Sequence, residues 1–123
     1  PPFARIKHFT VNFTITNLLY RPALGNPNSK KFNATKNALT YLLDHMLKNS
    51  SINPAYTGCT VQTLRYGAYR DDTGLDAVCS YKNNSSIATF DREKVYQELS
   101  NMTKGVTKLG HYSLEKNSLY VNG

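Results

Sequence analysis

Apolar and polar residues alternate one by one from His8 to Leu18. Phe9, Val11, Phe13 and Ile15 fall on one phase, and His8, Thr10, Asn12, Thr14 and Thr16 on the other. Successive side chains of a strand point to opposite faces, so the stretch predicts a strand with one covered and one wet face. Its β-branched and aromatic residues suit such a surface. Pro22, Gly25 and Pro27 then mark a loop from Tyr20 to Lys31. From Lys30 to Lys48 the period becomes helical: Phe32, Leu39, Leu42, Leu43, Met46 and Leu47 form one stripe, with Asn28 or Ser29 placed to cap it. Asn53-Pro54 predicts one further helical turn.

Alternation returns from Gly58 to Tyr81. Cys59 and Val61 share a face, as do Leu75, Ala77, Cys79 and Tyr81, and the polar run from Gly67 to Gly74 separates the two sets. This predicts a hairpin. The apolar phase slips between Val61 and Leu64, which predicts a bulge or an early strand end. Both cysteines fall on apolar faces, which permits a cross-strand bridge. After a polar loop from Lys82 to Ser86, Asp91 is a fit N-cap, flanked by a Phe90–Val95 hydrophobic staple. Val95, Leu99 and Met102 predict an inner stripe, and Gly105 a stop. His111 to Val121 predicts a last strand with Leu114, Leu119 and Val121 in the core. With residues 1–7 as a linker, residues 8–123 read strand, helix, strand, strand, helix, strand. That order predicts an α+β domain whose four-stranded antiparallel sheet carries both helices on one face.

At 123 residues the chain fits one domain with a core of its own. No apolar run approaches the roughly 18–20 residues of a membrane span. The chain opens without Met or a signal-like segment, so it is expected to be part of something longer, with any targeting segment elsewhere. The net charge of +7 would suit a polyanion, but the fifteen Lys and Arg are scattered and only Lys30-Lys31 are adjacent. A solvated basic surface is the simpler reading.

The sequons change the picture more. Asn-X-Ser/Thr begins at Asn12, Asn33, Asn49, Asn83, Asn84 and Asn101. Chance placement of thirteen Asn and 21 Ser or Thr in 123 residues gives about two. The excess points to a secretory history, where cysteines are usually paired. Asn83 and Asn84 are adjacent and crowd each other, so Asn12, Asn33, Asn49 and Asn101 are the stronger acceptors.

Little else carries chemistry. His8, His45 and His111 lack metal-ligand spacing, and Asp71-Asp72 lacks the third carboxylate of a calcium loop. No phosphate-binding loop is present, and Met46 and Met102 read as packing. No catalytic residue, metal or cofactor is therefore expected. Arg65-Tyr66-Gly67-Ala68-Tyr69 faintly echoes the aromatic signature of RNA-recognition sheets, which share this element order. It breaks off early, and the sequons fit a nucleic-acid partner badly. A module that binds protein directly, through the open sheet face or the loops, is the other alternative.

The ordered set Phe9 to Leu18, Lys31-Phe32-Asn33-Ala34-Thr35, Gly58-Cys59, Gly74-Leu75-Asp76-Ala77-Val78-Cys79, Asp91-Arg92-Glu93, Tyr112-Ser113-Leu114 and Ser118 to Gly123 resembles a SEA domain of the mucin-16 type. The resemblance implies a ferredoxin-like α/β sandwich and a Cys59–Cys79 disulfide. It also implies an extracellular module, monomeric but set in tandem arrays in a membrane-tethered mucin. Its N-linked glycans would meet lectins and a mesothelin-like adhesion partner, with no insertion of the module into the membrane. Many SEA domains cleave themselves between Gly and Ser in a Gly-Ser-Val-Val-Val segment joining the second and third strands. Here Gly67 precedes Ala68 and Gly74 precedes Leu75. Neither pair offers the hydroxyl needed for an N-to-O acyl shift, so an intact chain is expected.

Overall fold

Phe9, Val11, Phe13 and Ile15 are each 3% exposed or less, while Thr10 and Asn12 between them keep partial exposure on the other face. These residues lie in β1 (Arg5–Ile15), the strand on which the sheet is built. The computed structural model describes residues 5–66, 72–83, 86 and 89–123. Within them, β2 (Tyr56–Tyr66) and β3 (Thr73–Asn83) form the expected hairpin, and the chain ends in β6 (Tyr120–Asn122). The sheet order is β2-β3-β1-β6, antiparallel throughout. β1 pairs with β3 from Arg5↔Asn83 to Ile15↔Thr73, which takes Arg5, Ile6 and Lys7 out of the expected linker and Lys82 and Asn83 out of the expected loop. Thr73 and Gly74, expected in the polar connection, also belong to the strand.

α1 (Lys30–Lys48) has the predicted bounds. Ser29 is its cap: Oγ accepts the Phe32 N–H at 3.0 Å and donates to the Ala23 carbonyl. Phe32, Leu39, Leu43, Met46 and Leu47 are buried over β2, and Leu42 is half-buried. At the other end the Asn49 side chain donates to the His45 carbonyl at 2.7 Å, satisfying a carbonyl left open by the last turn. The predicted extra turn is a 3₁₀ turn at Asn53–Ala55, with Ile52 rather than Asn53 at its cap position.

α2 (Arg92–Met102) starts at Asp91, whose Oδ1 accepts the N–H groups of Glu93 and Lys94 at 3.1 and 3.3 Å. Phe90 stacks on Phe9 and Tyr81, with ring centroids 4.8 and 5.1 Å apart. Val95 and Leu99 are buried as expected, but Met102 is 38% exposed, because the helix ends there and turns away. The stop is also shifted. Lys104 N–H bonds the Asn101 carbonyl at 3.2 Å and Gly105 N–H the Ser100 carbonyl at 2.7 Å, the paired bonds of a Schellman ending. The left-handed position usually given to glycine is therefore held by Lys104, at φ 55°.

His111 to Val121 is not one strand. β4 (Lys108–Leu109) and β5 (Tyr112–Ser113) make a small separate hairpin, Leu114 bridges to Ile15, and Glu115 to Ser118 turn before β6. Ser118 N–H closes that turn on the Glu115 carbonyl at 3.1 Å, and Asn117 takes φ 72°. The same turn seals the end of β1. Ser118 Oγ accepts the Thr14 N–H at 3.1 Å, Glu115 N–H donates to the Thr14 carbonyl at 2.9 Å, and Thr14, expected to be wet, is 8% exposed. β1 stops at Ile15 because Thr16 and Asn17 bond to Ser113 and His111. Leu114, Leu119 and Val121 nonetheless reach the core.

Candidate functional site

Cys59 and Cys79 are directly opposed in the β2–β3 register and form a disulfide with Cα atoms 3.9 Å apart. Both face the core, at 8% and 0% exposure. The bridge therefore staples the hairpin from inside, beneath the helices, and leaves the opposite sheet face free of constraint.

The sequon asparagines are dispersed over the surface. Asn33 is exposed on the first turn of α1, its Nδ2 donating to the Ser29 carbonyl at 2.9 Å. Asn49 is exposed at the C-cap of α1, and Asn101 near the end of α2. Asn83 is exposed at the end of β3, and Asn84 lies outside the described residues. The hydroxyl residues two places on are less free. Ser51 donates Oγ–H to Glu98 at 2.7 Å, and Thr103 is 3% exposed with its hydroxyl on the Leu99 carbonyl at 2.8 Å.

Asn12 is different. It lies on the sheet face opposite the helices, in a row that crosses all four strands: Tyr120, Asn12, Asp76 and Thr63. Asp76 is the hub. Its carboxylate accepts from Arg65 Nε at 2.8 Å, Arg65 Nη2 at 3.2 Å, Thr63 Oγ1 at 2.9 Å and Asn12 Nδ2. Partial burial alone would raise the Asp76 pKa, but these bonds, led by that from Arg65, outweigh it and hold the carboxyl below its ordinary range. The Arg65 guanidinium is correspondingly pushed up by its bond to Asp76. Arg65 reaches Asp76 by lying across Gly74, where a Cβ would stand 2.8 Å from Nη1 and 3.1 Å from Cζ. A side chain at Gly74 would push the guanidinium aside, so glycine there serves the Arg65–Asp76 contact rather than a backbone angle.

A second polar contact ties α1 to the hairpin. Tyr56 OH donates to Asp44, and burial, helped by that carboxylate, raises the phenol above its usual range. His8, His45 and His111 are exposed, on β1, on α1 and between β4 and β5. Tyr66, the first aromatic of the RNA-recognition echo, lies on the helix side of the sheet, with its ring 4.1 Å from that of Tyr20. It therefore adds no stacking surface to the open face. Gly67 and Ala68, the pair aligned with the family's cleavage site, lie outside the described residues, as does Asp71. Among the described residues no helix is long and apolar enough to cross a membrane.

Sequence reading did not anticipate the Arg65–Asp76–Thr63–Asn12 network or the place of Tyr120 beside it. The phase slip at Val61 was the available signal. The family model for the SEA domain matches residues 7–115, from β1 through β5. SEA domains are extracellular and generally non-catalytic modules, a setting that the buried disulfide fits. This chain belongs to the SEA-domain family.

Proposed function

We propose that this domain is a non-catalytic, non-self-cleaving bead in a membrane-tethered mucin, spacing mucin segments and presenting N-glycans in barrier and adhesion roles. The observation that carries the reading is the placement of Asn33, Asn49, Asn83 and Asn101: all four are exposed, and they sit on two helices and a strand end. Sugars at these points would radiate from a stapled core without disturbing it. Lectins and a mesothelin-like adhesion partner would read those sugars more than the bare protein.

The missing hydroxyl after Gly67 supports an intact chain. Thr73 precedes Gly74, so its hydroxyl lies on the wrong side of that peptide for the same shift. The test is secretion from mammalian cells followed by glycopeptide mass analysis and denaturing electrophoresis. The expected result is a single chain with glycans at several sequons. A chain without sugars, or one split between residues 67 and 74 without protease, refutes the corresponding half. Ala68→Ser alone is expected to leave the chain whole if the loop also lacks strain.

A further inference from the structure

We propose that Asn12 carries a β-linked N-acetylglucosamine whose apolar face rests on the ring of Tyr120, while Asp76 holds the linkage amide. The proposal deepens the glycan-carrying reading and rests on it, but it concerns one acceptor. Asn12 alone among the described acceptors lies in the middle of the open sheet face, on a strand paired on both sides. A sugar there starts between Asp76 on β3 and Tyr120 on β6, within reach of protein on both sides.

The two cross-strand neighbours of Asn12 differ in kind. On the β3 side stands Asp76, which accepts the Asn12 amide and is itself fixed by Arg65 and Thr63. On the β6 side stands Tyr120, 56% exposed and stacked on no other ring among the described residues. Glycan transfer from a lipid-diphosphate donor forms the C1–Nδ2 bond, breaks the C1–O bond to the diphosphate and removes one amide proton. The second N–H remains and can keep the bond to Asp76. With that N–H aimed at β3, the bond to the sugar points away from β3. Directly opposed residues have Cβ atoms about 5 Å apart, so the first sugar ring is delivered over its neighbour Tyr120. The C–H-rich face of a pyranose and the electron-rich face of a phenol ring are complementary. Thr10 and Asn122, the next pair along β1 and β6, border the site with polar groups.

The test uses the secreted domain with Asn33, Asn49, Asn83, Asn84 and Asn101 changed to Gln, so that Asn12 is the one acceptor left. Glycans are trimmed to the first N-acetylglucosamine, and thermal midpoints are compared with the same sequence made without sugar in a bacterial periplasm. The sugar is expected to raise the midpoint by a few degrees with Tyr120 or Tyr120→Phe, and not with Tyr120→Ala. Its protons should show an upfield ring-current shift that Tyr120→Ala abolishes. An equal rise in Tyr120→Ala, or sugar protons at their free-solution positions, overturns the proposal. So does an empty Asn12. If the other sequons of the wild-type chain are filled, an empty Asn12 leaves the broader glycan reading standing; if none is filled, both fall. Should the five replacements impair secretion, the ring-current measurement is made on the wild-type chain, with Asn12→Gln as the subtraction.

Discussion

Opening the Cys59–Cys79 bridge should remove a large part of this domain's stability, mostly through the unfolded chain. The cysteines are 20 residues apart. A loop of that size loses about 11 cal/mol/K of closure entropy when bridged, or about 3 kcal/mol at 25 °C. Unfolding 123 residues carries about 0.26 kcal/mol/K of entropy at roughly 2.1 cal/mol/K per residue. A loss of ~3 kcal/mol then lowers the midpoint by about 12 °C. The cleanest perturbation is reduction, because it keeps the sulfur volume in the core. Cys79 is 0% exposed, so the protein is reduced while unfolded and then refolded under reductant. Cys59→Ala with Cys79→Ala should cost on the order of 1–2 kcal/mol more, from the space the sulfurs vacate. Paired serine replacements should be worse still, because each buries a hydroxyl. Thermal unfolding followed by circular dichroism and tyrosine fluorescence suffices, since the chain has nine Tyr and no Trp. A reduced protein whose midpoint stays within about 3 °C of the oxidised one would refute the chain-entropy reasoning. It would mean that the hairpin register already restricts the unfolded chain as much as the bridge does.

Three further outcomes follow from particular contacts. Lys104→Gly should stabilise the domain by about 0.5–1 kcal/mol, because an exposed lysine now holds a left-handed helix ending that glycine adopts without penalty; chemical denaturation checks it. Asp76→Asn should cost about 1 kcal/mol or less at pH 7, since Asp76 and Arg65 side chains are 29% and 54% exposed and solvent screens the pair. The folded carboxyl titrates below its unfolded value near 3.9, so this contribution is complete above about pH 5 and fades as pH falls through the lowered folded value. Stability curves of variant and parent should therefore converge in acid, and parallel curves would refute the assignment. Tyr56→Phe should cost about 1 kcal/mol or less at neutral pH by removing the phenol's bond to Asp44, which keeps solvent and Lys48 as partners. Because the folded phenol titrates above its unfolded value of about 10, the parent should lose this advantage as pH rises beyond 10, and the variant should show a shallower alkaline decline.

Most of the architecture was legible because the covered face imposes a period. β1, α1, both strands of the hairpin and the Asp91 cap all follow from apolar spacing and cap chemistry. The interruption of the last strand is not legible, because Leu114, Leu119 and Val121 are all core residues and that pattern alone does not reveal the break between them. Glu115-Lys116-Asn117-Ser118 is the polar run that breaks it, and its effect depends on tertiary bonds to Thr14. Thr14 shows the same limit from the other side. Its phase along β1 is polar, and only a segment about a hundred residues away in sequence covers it. Met102 sits at the correct helical spacing, but α2 ends beneath it.

The open-face network was out of reach of periodicity, yet it follows from the disulfide and one bulge. Cys59↔Cys79 sets the hairpin register, and it holds through Thr60↔Val78 and Val61↔Ala77. Continued unbroken, that register would set Thr63 opposite Leu75, placing a polar and an apolar residue on one face. The bulge between Val61 and Thr63 moves Thr63 opposite Asp76 and Leu64 opposite Leu75. One inserted residue thus restores the core on one face and builds the Asp76 cluster on the other. It also sets Arg65 opposite Gly74, the residue whose missing side chain lets the guanidinium lie flat and reach Asp76. The bridge and the acceptor at Asn12 are therefore linked through register. A slip of the hairpin by one residue would separate Cys59 from Cys79 and Asp76 from both Arg65 and Thr63.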